Sequence, residues 1–264
     1  MMYLIPKPQT IAYGEGNFRL TYESYFVLDP DCGEKLTRQA ALALQALEKE
    51  LGFAPMLARG EGRPGDVFLK RTLAEEEEGY SLKIEGDNVT IMGGGAGIWH
   101  GLQTLLQIVA QCGPILPALT ISDRPDIPNR GFYHDITRGR IPKMSFLKEL
   151  VDKMAYYKLN QLQLYVEHTY LFRDLSELWR DDTPLCAQDI LELDDYCASR
   201  QIELVPSLAS FGHLYGVLRT RDYGHLCELE ERVERFSMVD RMAHHTVDVS
   251  NEESFEMVRD RIMD

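Results

Sequence analysis

The second half of the chain repeats one pattern three times, a short β-rich run followed by a segment with apolar residues at helical spacing. The predicted strands are 131–136, 161–166 and 202–208, and the predicted helices begin near Ser145, Ala187 and Ser250. Such alternation is typical of a parallel sheet, and a (β/α)8 barrel is its closed form. The sequence therefore predicts an α/β fold that contains the first three β/α units of an incomplete TIM barrel, truncated before the fourth strand at Asp264.

The third of these helices is predicted in more detail. Ser250 and Glu253 have the spacing of a capping box, which satisfies backbone donors at a helix start. Phe255, Val258 and Ile262 follow at helical spacing and are predicted to form the apolar face that packs on the sheet.

The pattern of residues 1–125 predicts a separate, small α+β sandwich-like domain. An apolar stripe from Leu36 to Leu51 indicates a helix, and Asp31 with Glu34 resembles a capping box before it. Strands are predicted at 67–69, 80–84 and 89–91, with a hairpin turn at 86–88 and a second helix at 97–109.

The segment between the two halves is rich in proline. Its prolines are Pro114, Pro117, Pro125 and Pro128. Proline lacks the backbone N–H that a helix or a central strand needs, so no central strand is predicted here. We place the domain boundary in this segment, which gives an N-terminal domain at 1–125 and a partial barrel domain at 126–264.

Composition excludes several classes of function. The chain has 44% hydrophobic and 27% charged residues, typical of a globular protein, and its formal net charge of −14 opposes a nucleic-acid-binding face. Five cysteines without a C-x-x-C pair suggest neither a disulfide framework nor a zinc site, and no metal or cofactor is expected. No segment has the length of a membrane span and the N-terminus lacks a signal-like apolar run, so we expect a cytoplasmic protein with no membrane partner.

Four local features have structural interpretations. The glycines at 93–97 lack the Gly-Lys-Ser/Thr ending of a phosphate loop and predict a turn before a helix. Glu75 to Glu78 is predicted to be a solvated loop. His244 and His245 are predicted to be loop residues rather than metal ligands, because no second ligand lies at the required spacing. Trp179 is open between packing and stacking on a pyranose ring.

Polar side chains follow each of the three predicted barrel strands. They are Asp135, Arg138 and Arg140 after the first, Glu167 and His168 after the second, and His213 after the third. The loops after the strands form the active-site face of a parallel barrel, so these side chains are predicted to converge. Arginine and carboxylate groups together can bind neighbouring sugar hydroxyls. Two alternatives stay open: a purely structural Asp135–Arg138 ion pair, and a solvated Glu167–His168 loop.

Several motifs resemble those of a known family. The run RGFYHDITR at 130–138, KLNQLQL at 158–164, and the segment from Val205-Pro206 to Phe211-Gly212-His213 are similar to the start of the catalytic barrel of family-20 glycoside hydrolases, the β-N-acetylhexosaminidases. In the first half, IPKPQ at 5–9, EGYSL at 78–82 and GIWHGLQTLLQ at 97–107 resemble the small α/β domain that precedes that barrel.

This resemblance implies roles for individual residues. Arg138 matches the arginine that binds hydroxyls of the terminal N-acetylhexosamine, and His213 matches a histidine near the catalytic pair. Asp135, Glu167 and His168 are the further substrate-binding candidates, although Glu167-His168 stands where the family has an aspartate. Phe211 replaces the usual proline.

The resemblance also implies a mechanism. In the family, the substrate's own 2-acetamido oxygen attacks the anomeric carbon, while an Asp-Glu pair at the fourth strand orients the acetamide and transfers protons. The chain as given ends before that strand, so no catalytic residue is assigned and no hydrolysis is expected from this polypeptide alone.

Alternative functions remain open at this point. One is a related retaining barrel glycosidase that removes O-GlcNAc or cleaves glucuronides, and another is a non-catalytic carbohydrate-binding or scaffold protein. The open edges of a partial barrel also predict self-association, because unpaired strand edges are templates for pairing.

Overall fold

The computed structural model of the chain describes residues 2–72, 77–173, 175–179, 183–229 and 245–264. The chain divides into two compact units. The first comprises Met1–Arg130, Leu150–Asn160 and Cys197–Ile202, and the second comprises Gly131–Glu149, Gln161–Tyr196 and Glu203–Asp264. The boundary between residues 125 and 126 stays a prediction. Among the described residues, no helix combines the length and apolarity that a membrane crossing requires.

The first unit is built on a seven-stranded sheet with two long helices. Its strands are β1 (Thr10–Arg19), β2 (Tyr25–Leu28), β3 (Met56–Arg59), β4 (Val67–Arg71), β5 (Tyr80–Ile84), β6 (Val89–Gly93) and β7 (Ile115–Asp123), and its helices are α1 (Glu34–Leu51) and α2 (Gly95–Cys112). The strand order is β1-β7-β5-β6-β4-β2-β3. Helix α2 packs on the middle of the sheet and α1 packs on α2. The predicted α+β domain with a β5–β6 hairpin is confirmed.

Two glycines allow α2 to approach the sheet closely. A Cβ atom on Gly97 would lie 2.0 Å from the carbonyl oxygen of Gly79, and one on Gly101 would lie 2.5 Å from the side chain of Ile91. Neither distance is compatible with a larger side chain unless the backbone moves. The helix is buried on nearly all sides, as expected for a helix between layers.

The glycine-rich turn before α2 is closed by the protein's own carboxylate. Glu77 Oε1 accepts hydrogen bonds from Gly95 N at 2.9 Å and Ala96 N at 3.4 Å. A helix N-terminus attracts an anion, and here Glu77 supplies it. The structural interpretation of this segment is therefore correct.

The proline-rich segment was predicted wrongly. It contains β7, which lies between β1 and β5 and is a central strand. Pro117 lies opposite Asn17, where the β1–β7 register shifts, and the pairing with β5 begins only at Leu119. On the β1 side, the missing N–H of Pro117 falls at this register shift. On the β5 side, Pro117 lies outside the paired residues. Both are positions at which a strand tolerates proline.

Glu78 is half-buried and paired, contrary to the solvated loop predicted for 75–78, whereas Glu77 is exposed as predicted. Glu75 and Glu76 lie outside the described residues. The two carboxylate oxygens of Glu78 accept from the Nη atoms of Arg130 at 2.9 and 3.0 Å. Asn160 Nδ2 donates to Oε1 at 3.2 Å, and His100 Nε2 lies 3.4 Å from the same atom. These hydrogen bonds outweigh the opposing effect of burial and lower the pKa of Glu78 to about 2.

This network makes the first unit acid-sensitive. Because the pKa of Glu78 is lower folded than unfolded, its stabilisation is complete above about pH 4.5 and is lost as the pH falls towards 2. Burial also lowers the pKa of His100, so proton uptake by the unfolded chain adds a loss of stability below about pH 6.5. We expect wild type to lose about 3 kcal/mol more than Glu78→Gln between pH 7 and 2, by urea titration at each pH. Equal losses in both proteins would contradict this.

The strand–helix half has the predicted architecture. Its strands are β8 (Gly131–Asp135), β9 (Gln161–Val166) and β10 (Glu203–Leu208), and its helices are α3 (Met144–Tyr156), α4 (Ala187–Ala198), α5 (Tyr215–Leu218) and α6 (Glu252–Met263). The strands are parallel, in the order β10-β9-β8. The prediction of three β/α units of a partial TIM barrel is thereby confirmed.

The predicted capping boxes were wrong at both helices. Helix α1 begins after Gly33 without a side-chain cap, since Asp29 to Cys32 form a turn of their own. In α6 the cap is Asn251, whose side chain accepts from Glu253 N at 3.0 Å, while Ser250 bonds instead to Asp248.

The predicted apolar face of α6 was wrong for two of its three residues, since only Val258 packs against the apolar cluster of this unit. Phe255 and Ile262 are each 63% exposed. The buried face consists of Ser254, Met257 and Arg261, and Met257 packs into the apolar cluster of this unit. An arginine on the inner face thus overrides the hydrophobic pattern.

Candidate substrate-binding site

The candidate residues lie at the edge where the three parallel strands end. Asp135 is in register with Tyr165 of β9, and Tyr165 is in register with Ser207 of β10. The segments that follow these strands therefore leave the sheet at the same level. Arg138, Glu167 and His213 each come from a different one of these segments, and the structure brings all three together.

Arg138 lies at the centre of the cluster. Its Nη1 donates to Asp135 Oδ2 at 2.5 Å, and its Nη2 donates to Glu167 Oε1 at 3.1 Å. The same Nη2 lies 3.3 Å from Nδ1 of His213, and the guanidinium carbon lies 5.4 Å from the centre of the Tyr165 ring. The side chain remains about half exposed, so it is held in place while N–H groups still face solvent.

Asp135 anchors this arginine through a tight local turn. Its Oδ1 accepts from the backbone N–H of Thr137 at 2.9 Å and of Arg138 at 3.3 Å. Burial alone would raise the pKa of Asp135, but these bonds and the Arg138 guanidinium lower it. The ion pair that sequence left as an alternative does form, and Arg138 contacts Glu167 and His213 at the same time.

Among the described residues, the hydrogen bonds and ion pairs of the Glu167 side chain all involve one carboxylate oxygen. Oε1 accepts from the Tyr165 hydroxyl at 2.8 Å and from Arg138, and lies 3.5 Å from His213 Nδ1. Within the described ranges, Oε2 has no hydrogen-bond partner and can accept from a ligand hydroxyl. Burial, followed by the hydrogen bond to Glu167, raises the pKa of Tyr165 to about 12, so its hydroxyl stays protonated as a donor.

His213 is held by a second histidine. Its backbone has φ +60°, a conformation that costs a non-glycine residue about 1 kcal/mol. The backbone N–H of His213 donates to Nδ1 of His245 at 2.7 Å, and the two imidazole rings stack with centres 4.9 Å apart. Burial lowers the pKa of His245, with His213 adding to the effect. Because Nδ1 accepts, neutral His245 carries its proton on Nε2.

His245 was not predicted as a site residue. It was interpreted as a loop histidine, and the structure instead buries it to 8% exposure against His213. No spacing rule connects residues so far apart in the sequence. Its neighbour His244 lies outside the described residues.

The other candidates occupy less central positions. His168 is half-buried and lies beside Gly216 of α5. Arg140 is exposed and forms no hydrogen bond or ion pair with any described residue, and Phe211 is 69% exposed. Trp179 packs against the apolar cluster of this unit, which favours the packing interpretation. In the part of the chain that the structure covers, no three His, Cys, Asp or Glu side chains meet as a metal site would require; the absence of a metal or cofactor stays a prediction.

Comparison with models of known protein families shows to which family the chain is related. Residues 1–124 match glycosyl hydrolase family 20, domain 2, and residues 128–264 match the catalytic domain of glycosyl hydrolase family 20. The chain belongs to glycosyl hydrolase family 20. The resemblance inferred from the sequence is confirmed for both halves of the chain. Because both matches are to family 20, they do not support the alternative that the chain belongs to another family of barrel glycosidases.

Family-20 relatives are named β-hexosaminidases. The chain is 31% identical over 160 residues to a β-hexosaminidase of Akkermansia muciniphila, which covers 52% of this chain and 32% of that protein. It is 21% identical over 253 residues to one of Vibrio vulnificus, with 83% of this chain and 29% of that protein covered. The chain thus spans about a third of the length of these curated relatives.

Solved family-20 structures share the fold. The β-N-acetylhexosaminidase of Streptomyces coelicolor A3(2) matches with a TM-score of 0.82 at 23% identity, over 97% of this chain and 55% of that one. A variant β-hexosaminidase of Streptomyces plicatus, in complex with its product GlcNAc, matches with a TM-score of 0.82 at 22% identity over the same shares. These structures therefore share the fold of nearly the whole of this chain, its α/β domain and its three β/α units.

Proposed function

We propose that this chain carries the sugar-recognition part of an exo-acting β-N-acetylhexosaminidase and binds a non-reducing terminal GlcNAc or GalNAc. One observation carries the proposal: Arg138 is fixed by Asp135, Glu167 and His213 from three strand ends, yet stays half exposed. The names of the family-20 relatives support the same substrate class.

The cluster offers complementary groups for a sugar. Arg138 keeps N–H donors that can bond two neighbouring hydroxyls, and Glu167 Oε2 can accept from one of them. Because the ligand is neutral, its hydrogen bonds to Arg138 and Glu167 replace hydrogen bonds of these groups to water. Arg138 is already fixed before the sugar binds, which lowers the entropy cost of binding.

Glu167 stands where the resemblance leads us to expect an aspartate. Its Oε1 accepts from Arg138 and lies 3.5 Å from His213 Nδ1, so it contacts both other members of the cluster. In the proposed mechanism the residues of this chain bind and orient the sugar. In the family, attack by the acetamido oxygen and proton transfer depend on an adjacent Asp-Glu pair. The sequence given contains no such pair, so we propose that this polypeptide by itself does not hydrolyse substrate.

Two measurements test this function. NMR titration with N-acetylglucosamine is expected to shift side-chain signals of Arg138 and His213, whereas ethylene glycol at equal concentration leaves them unchanged. A chromogenic N-acetylglucosaminide is expected to remain intact in the presence of the chain. Absence of sugar-dependent shifts at these residues would contradict the binding role, and turnover by the chain would contradict its proposed inactivity.

We further propose that the chain associates with itself through the partial barrel. Strands β8 and β10 are the two edges of the three-stranded sheet, and Phe132 and Tyr133 on β8 are 41% and 53% exposed. Such edges pair readily with other strands. Sedimentation equilibrium is expected to show a mass that rises with concentration, and Phe132→Lys is expected to reduce that rise while Phe255→Lys on α6 does not. A concentration-independent monomer would contradict this.

A further inference from the structure

Arg261 is a charged residue on the inner face of α6. It is 5% exposed, and its guanidinium has no carboxylate within ion-pair distance among the described residues. Its Nε is buried and lacks a hydrogen-bond partner in the same part of the chain. An apolar side chain of similar size would satisfy this position at a lower desolvation cost.

The contacts of Arg261 are with the backbone of two strand exits. Nη2 donates to the carbonyl oxygen of Glu167 at 2.6 Å, directly after β9, and Nη1 donates to that of Ala209 at 3.4 Å, directly after β10. The guanidinium lies over the ring of Phe172, with 4.7 Å between its carbon and the ring centre. One side chain thus joins the two backbone segments that present Glu167 and His213.

The guanidinium remains charged at neutral pH. Burial lowers the pKa of Arg261 to about 10, and attraction by Glu167 and then Tyr165 opposes that effect. The attraction between this cation and the Glu167 carboxylate acts beyond ion-pair distance and favours a fixed position for that carboxylate. The cost of burying Arg261 is understandable if the geometry of the strand exits depends on it.

We propose that Arg261 is a positioning residue, which fixes the exits of β9 and β10 so that Glu167 and His213 are held at the distances required for the sugar. The hydrogen bonds from Arg261 to the two carbonyl oxygens support its role in positioning the backbone. The consequence of that role for sugar binding rests on the proposed function. Arg261 itself does not touch the sugar in this proposal.

Hydrogen exchange tests the positioning without any ligand. In Arg261→Met, amides of 166–170 and 208–213 are expected to exchange about tenfold faster, while those of α2 and of the seven-stranded sheet remain unchanged. Arg259→Met is the matched control, because Arg259 lies on the same helix but is half exposed and, among the described residues, pairs with its neighbour Asp260. Unchanged exchange at both strand exits, or an equal increase throughout the chain, would overturn the proposal.

Sugar affinity then tests the consequence for binding. Arg261→Met is expected to weaken N-acetylglucosamine binding about tenfold, with little further loss when it is added to Glu167→Gln, since both act through one group. Additive losses in the double variant would overturn the link to Glu167. If Arg261→Met does not fold, Arg261→Lys replaces it. Lysine keeps the charge but carries all its donors on one nitrogen, so it loses the planar geometry that spans the two carbonyl oxygens. It is expected to show the same changes at a smaller size, and wild-type behaviour there would overturn the proposal. If wild type binds no sugar, the proposed function fails, while hydrogen exchange still decides the positioning role.

Discussion

Replacing Arg138 with methionine is expected to lower the affinity for N-acetylglucosamine by about tenfold to a hundredfold. A hydrogen bond from a charged donor contributes about 1.5–3 kcal/mol, and the substitution removes such bonds from the centre of the cluster. It also leaves the Asp135 and Glu167 carboxylates without the cation that both of them contact. The dissociation constant from an NMR titration of each protein measures the effect.

The matched control is Arg140→Met. Arg140 lies two residues further along the same loop, is exposed, and bonds to no described residue. Its replacement removes the same charge from the same region and is expected to change the affinity less than about twofold, since exposed charges contribute little. Equal losses in the two variants would show that general electrostatics, rather than the Arg138 cluster, governs binding.

Replacing Lys158 with methionine is expected to lower the free energy of unfolding of the first unit by about 3–5 kcal/mol. Lys158 Nζ donates to Asp123 Oδ2 at 2.9 Å and to the Tyr80 hydroxyl at 2.8 Å, and the pair is nearly buried. Burial lowers the pKa of Lys158, but its pairing with Asp123 opposes this. Methionine would leave the Asp123 carboxylate buried without its cation. Urea unfolding at neutral pH measures the loss.

Lys83→Met serves as the control for Lys158. Lys83 also pairs with a carboxylate, that of Glu85 at 2.8 Å, but both side chains are about half exposed. Its loss is expected to cost less than about 1 kcal/mol, because solvent screens an exposed pair. Equal losses of unfolding free energy in the two variants would mean that the buried Lys158–Asp123 pair stabilises the protein no more than the exposed Lys83–Glu85 pair does.

Local patterns predicted the strand–helix half well. Strand β9 was predicted at its observed bounds, and α4 begins at Ala187, as predicted. These elements have a clear apolar period that agrees with their burial. The prediction failed where non-local contacts decide: β7 pairs with two distant strands despite Pro117, and α6 buries Arg261 in place of Phe255 and Ile262.

The candidate site was predictable in part for a similar reason. The rule that parallel strands end at one edge predicts that Arg138, Glu167 and His213 lie together. The rule does not provide side-chain directions or partners from distant segments. It therefore missed Tyr165, which lies within a strand, and His245, which contacts His213 from a remote loop.

A crystal structure of the chain with bound N-acetylglucosamine tests the central claim most directly. The account predicts sugar hydroxyl oxygens within hydrogen-bond distance of the Arg138 guanidinium and of Glu167 Oε2, with the His213 ring beside them. A sugar bound elsewhere on the chain, with the Arg138 cluster in contact only with itself and solvent, would contradict it.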